Sequence, residues 1–142
     1  MIAPGSGRNR NAFNPAGIIR FLEPFTRSDF KPGGWSVLPG GGLPRLEYNS
    51  TVLEFIGEVR GGGWTPEGFR WIGWQKEAAR YRDEPALIDS ASLEDCRRLL
   101  VTLVELDCHR DGFLGEMISG GLVTRVLERV KKLAESCGSP PA

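Results

Sequence analysis

Residues 107–118, "DCHRDGFLGEMI", gather the side chains best suited to chemistry. His109, the one histidine of the chain, stands between Asp107 and Asp111, with Cys108 beside it and Gly112 following. Asp107, His109, Asp111 and Gly112 fall where a calcium loop places its first three ligands and its turn glycine. The likeness ends there. Ile118 stands where the bidentate glutamate belongs, an imidazole replaces an oxygen donor, and Arg110 sets a cation inside the loop. Too few hard oxygens remain for calcium. A Cys108–His109 nucleophilic pair is disfavoured as well, because neighbours on a helix point about 100° apart. Cys96, Cys108 and Cys137 with one histidine give no zinc spacing. No catalytic residue, metal ligand or cofactor is assigned. The residual chemistry is acidic: Asp107, Asp111 and Glu116 suit general acid–base work only if burial raises a carboxyl pKa.

A phosphate loop is the next candidate. "KPGGWSVLPGGGLPRL", residues 31–46, is rich in glycine, but no Lys-Ser or Lys-Thr follows, and Arg45 occupies the place of a third dinucleotide-loop glycine. Pro44 also lacks the N–H that would cradle phosphate. The segment is expected to be a structural loop. Aromatic residues offer a better binding surface. Three of the four tryptophans lie within residues 64–74. Trp64, Trp71 and Trp74, with Phe69, Gln75 and the acids Asp107 and Asp111, form the expected aromatic and acidic binding patch.

Eighteen basic and eighteen acidic residues cancel, which speaks against nucleic acid as a partner. Arg8, Arg10, Arg20, Arg27 and Lys31 are spread too thinly to change that. An odd number of thiols fits a reducing compartment. The first residues lack the apolar core of a signal peptide, and no apolar run approaches the roughly 18 residues of a membrane span. The cytoplasm is the expected location, with no membrane partner.

What must position these groups is mainly helical. Residues 1–13 are expected to be a flexible arm, 14–135 a helical domain, and 136–142 a flexible tail. "NPAGIIRFLEPF" predicts a short helix capped by Asn14 and ended by Pro24. "STVLEFIGEV" predicts another, with Val52, Phe55, Ile56 and Val59 inward and a capping box of Thr51 and Glu54. Trp71, Trp74, Ala78 and Tyr81 recur at helical steps, and Pro85 opens "PALIDS". "SLEDCRRLLVTLVELD" carries the clearest stripe, Leu93, Cys96, Leu99, Leu100, Leu103 and Val104, behind a Ser92–Asp95 cap. The last helix, about residues 120–135, turns Val123, Val126, Leu127, Val130 and Leu133 inward. The fold is expected to be all-α: a single-domain bundle of about five to seven short helices, with a Gly/Pro-rich loop in the first half.

Order and spacing also carry a resemblance. "FRWIGWQKEAARYRDEP" resembles a W-x-x-W-Q segment followed by a "dPe" turn, and "ASLEDCRRLLV" resembles an A-D-L-E-T-L-R-x-L-L-T helix. "ELDCHRDGFL" is similar to R-x-D-R-F-x-E-G-H-L, "VLERV" to I-L-x-R-L, and "LPRLEYNSTV" to m-P-y-x-Y-s-p-e-V. Together these resemble a bacterial family of uncharacterised domains, domain of unknown function 6508, over about residues 16–134. Against that pattern Glu105 and Cys108 replace two arginines, Asp111 a glutamate and Phe113 a histidine, while Asp107 is kept. His109 replaces a phenylalanine, so the resemblance implies a packing role for its ring. Relatives fused behind macro domains imply, by analogy, a place near nucleotide signalling.

Two functions follow. The first is a non-enzymatic helical interaction or accessory module with a protein partner, favoured because no catalytic constellation is evident. The alternative is a nucleotide- or ADP-ribose-linked accessory domain or hydrolase using the carboxylates near Asp107 and Asp111.

Overall fold

A computed structural model describes residues 15–138, apart from residues 38, 63 and 111. The expected arm, the Asn14 cap, the last residues of the expected tail and Asp111 therefore lie outside the described residues. Among those described, seven α-helices and one two-stranded ribbon make up a helical domain. The helices are α1 Pro15–Ile19, α2 Leu22–Phe25, α3 Ser50–Gly61, α4 Gln75–Asp83, α5 Leu93–Asp107, α6 Phe113–Ser119 and α7 Leu122–Gly138. Short 3₁₀ helices span Trp71–Trp74 and Pro85–Ser90. No helix among the described residues is long and apolar enough to cross a membrane.

α5 is the axis. Its expected stripe is buried at Cys96, Leu99, Leu100, Leu103 and Val104, but so are Val101 and Thr102, which lie outside that stripe. The helix is covered on more than one side because α3, α4, α6 and α7 all pack against it. Its start is held as the sequence indicates, with Ser92 Oγ accepting the Asp95 N–H at 3.1 Å. α7 lies alongside with Leu122, Val123, Val126, Leu127 and Val130 buried. It is entered through Gly121, whose φ of 90° favours glycine.

The first half departs from expectation in three ways. Pro24 does not end the first helix. The break falls at Arg20 and Phe21, and Pro24 sits inside the first turn of α2, where its missing N–H has no helical acceptor to lose. The α3 cap is Asn49 rather than Thr51, which is already helical. The Asn49 side chain accepts the Val52 N–H at 3.0 Å while its amide donates to the Lys31 carbonyl at 2.6 Å. Phe21, Phe25 and Phe55 then join α1–α2 to α3 through edge-on ring contacts.

The third departure is the ribbon. Residues 31–46, expected as a loop, contribute β1 Gly33–Ser36 and the start of β2 Arg45–Tyr48, which pair antiparallel with Trp35 opposite Leu46. Glycine makes the pairing possible, because a Cβ on Gly33 would collide with the Glu47 carbonyl. Gly40, Gly41 and Gly42, all at positive φ, turn the chain between the strands.

Two substitutions on α5 should separate packing from polar satisfaction. Leu100→Ala, at a fully buried position, is expected to cost roughly 2–5 kcal/mol in urea unfolding. Thr102→Val should instead stabilise by about 1 kcal/mol, because the Thr102 hydroxyl is buried without a hydrogen-bond partner among the described residues. A Thr102→Val protein less stable than the parent would show that this hydroxyl is satisfied in solution.

Candidate functional site

The stretch that opened the sequence argument lies at the exit of α5. Asp107 is the last helical residue, Cys108 follows, and Gly112, at φ 85°, starts α6 in the left-handed conformation. Gly112 brings no side chain to cap the new helix. Asp107 does so instead, its Oδ1 accepting the Leu114 N–H at 2.9 Å. The Tyr48 hydroxyl donates to that same oxygen and accepts the Gly115 N–H at 3.0 Å. One carboxylate oxygen and one phenol thus tie β2, the end of α5 and the start of α6 together. Burial first, and then the bond to Asp107, raises the Tyr48 pKa above its ordinary value of 10.0.

Cys108 and His109 diverge, as neighbours must. The His109 ring stacks on Trp71, with centroids 5.6 Å apart and planes at 30°. The residue is exposed, so this contact lies at the surface. Cys108 faces the Arg60 guanidinium, which also pairs with Glu105 at 3.4 Å. Among the described residues, no three His, Cys, Asp or Glu side chains are grouped to hold a metal ion.

The expected aromatic and acidic patch is dispersed. Trp64 is fully buried in the core, and its carbonyl accepts from Arg97 Nε at 3.3 Å. Trp74 is half-buried between Phe69 and Tyr81, with ring centroids 6.1 and 6.0 Å away. Gln75 is exposed and bonds back to the Ile72 carbonyl at 3.2 Å. Of the three tryptophans, Trp71 stands beside Asp107 at the α5 exit, through His109.

The structure brings a different group to that exit. Trp35, Val37 and Leu43, on and just beyond the ribbon, are 59%, 57% and 85% exposed. Trp35, Leu43 and Pro44 face Cys108 and His109 across an open cleft of about 730 Å³. A second cleft of about 220 Å³, reaching Gly112, Gly115 and Glu116, opens against the same tryptophan. Trp35 is therefore a ridge between two hollows. These residues carry little signal in the sequence, because they lie within a glycine- and proline-rich run without the alternation that marks a strand.

Two expected outcomes test this geometry. Tyr48→Phe removes a partner from both Asp107 and the Gly115 N–H, and should cost roughly 1–3 kcal/mol at neutral pH. Because the Tyr48 pKa is raised on folding, its contribution is complete below pH 10.0 and declines as pH rises toward the folded value. Urea titrations from pH 7 upward should therefore show the gap between parent and Tyr48→Phe narrowing above about pH 10. Thiol labelling followed by peptide mapping should mark exposed Cys108 in the native protein. Cys96, whose pKa burial pushes up to about 12, should react only after unfolding.

No curated protein and no solved structure matches the chain. The profile of a family of unknown function, domain of unknown function 6508, matches residues 11–136, which include the Tyr48–Asp107 tie, the ribbon and every described helix up to the last turn of α7. The chain belongs to that family.

Proposed function

We propose that this domain is a non-enzymatic helical accessory module that binds a protein partner, and that the ribbon receives an extended apolar segment of that partner. One observation carries the proposal: three large apolar side chains, Trp35, Val37 and Leu43, stand more than half exposed around one ribbon. Scattered apolar residues on a surface are ordinary, but a tryptophan ridge flanked by two hollows is a concentrated patch. The occupant follows from the backbone. In a two-stranded ribbon each strand keeps one open edge, and an added strand satisfies those N–H and C=O groups. Side chains on alternate positions of such a strand suit the hollows beside Trp35. Trp71 and His109 would rim the same surface, with Asp107 bracing it from beneath.

The nucleotide-linked alternative draws its support from the stacked Trp71–His109 pair, an aromatic platform of the kind that bases favour. Its acid–base arm has less to work with, because Asp107 Oδ1 already accepts from Tyr48 and Leu114. The link to macro domains stays an analogy. Two free thiols, Cys96 and Cys108, support placing the module in the cytoplasm.

A photocrosslinking residue in place of Val37, expressed in the native host, tests the docking proposal. The expected result is one dominant protein adduct that is lost on Trp35→Ser and on Leu43→Ser. Both positions are exposed, so stability should change by no more than about 0.5 kcal/mol. An adduct that survives both changes, or one formed only with a second copy of this chain, refutes the docking proposal. A thermal-shift series with ADP-ribose and NAD tests the alternative, which requires stabilisation by at least one of them.

A further inference from the structure

A separate cleft of about 820 Å³ opens between α1–α2 and α7 and shares no lining residue with the hollows at the ribbon. Ile19 and Leu22 give it an apolar wall, and α7 lines it with charge. Arg125, Arg129 and Lys132 fall at helical steps of four and three, so they share one face of α7. Arg125 forks onto Asp89 from the facing 3₁₀ helix, at 2.8 and 3.1 Å. Arg129 donates its Nε to the Ala91 carbonyl at 2.8 Å, which fixes the guanidinium and, among the described residues, leaves its outer nitrogens without a carboxylate. Lys132 makes no ion pair among the described residues. Three cations thus surround the single carboxylate of Asp89, and that excess is felt there. Its pKa is lowered first by the Arg125 hydrogen bond and further by the charges of Lys132 and Arg129. Glu23, Glu128 and Glu135 line the cleft as well; the charge of Glu128 acts on Arg125, and Glu23 is already engaged by Arg27 at 2.7 Å.

We propose that this cleft binds a small organic oxyanion, its phosphate or carboxylate held by Arg129 and Lys132 beside the Arg125–Asp89 fork and its body against Ile19 and Leu22. A guanidinium already fixed by a backbone carbonyl loses little freedom on binding and presents a planar pair of donors, which suits either oxyanion. The volume falls within the range of small-molecule sites. This site is independent of the ribbon, and neither proposal needs the other.

The test is a two-dimensional amide NMR titration of the full chain with inorganic phosphate and, in a second arm, with succinate, each against sodium chloride at equal ionic strength. The expected result is saturable shifts at residues 19–26, 89–91 and 125–135 in at least one arm, and the arm that saturates names the head group. Lys132→Gln, an exposed change that leaves the core intact, should weaken that binding roughly tenfold, the share of one charge-assisted hydrogen bond. Arg129→Gln should weaken it at least as much. Shifts in both arms that never saturate, that chloride reproduces, or that Lys132→Gln leaves unchanged overturn the proposal.

Discussion

The structure depends on the burial of α5. A helix with one apolar stripe needs one neighbour, but α5 also submerges Val101 and Thr102, and so it needs cover on a second flank. α3, α4, α6 and α7 are placed to supply it. At roughly 25 cal/mol per Å² of apolar surface removed from water, this wrapping outweighs the poor local propensity of the Gly- and Pro-rich segments between the helices. It also explains why short elements such as α1, α2 and the 3₁₀ turns persist: helices of one or two turns are unstable alone and are held by the core that they close.

The end of α5 shows how one acidic residue can join three elements. Asp107 leaves one helix and caps the next, while Tyr48 brings the ribbon to the same oxygen. In partly buried surroundings such a bond is worth more than in water, and an unpaired member costs more. The consequence reaches the surface. By anchoring β2, the tie holds Trp35 over the α5–α6 turn and creates the hollows beside it. The carboxylate singled out by its spacing thus helps to position an apolar ridge.

The two proposed surfaces differ in physical character. The ribbon offers exposed rings and an open backbone edge, which suits a partner that adds a strand. The α7 cleft offers fixed cations over an apolar wall, which suits a compact anion. Nothing in their geometry joins them, so each can be lost without the other.

The amphipathic helices were legible in the sequence because a 3.6-residue period written in Leu, Val and Cys survives any arrangement of neighbours; α3, α5 and α7 follow it, as does the Ser92 cap. The family was legible because several short patterns recur in a fixed order. Tertiary structure decided the rest. Trp64, Trp71 and Trp74 lie close in sequence, yet their burial depended on where the chain turned after α3, which no local period encodes. The ribbon was hidden because glycine and proline dilute the alternation that marks a strand, and its pairing rests on a close backbone approach that only the folded pair reveals. The Tyr48–Asp107 bond spans 59 residues, and the Arg129 anchor on Ala91 spans 38. Local sequence set which segments become helices, while contacts between distant residues, which follow from the packing of the whole core, set which side chains reach the surface together.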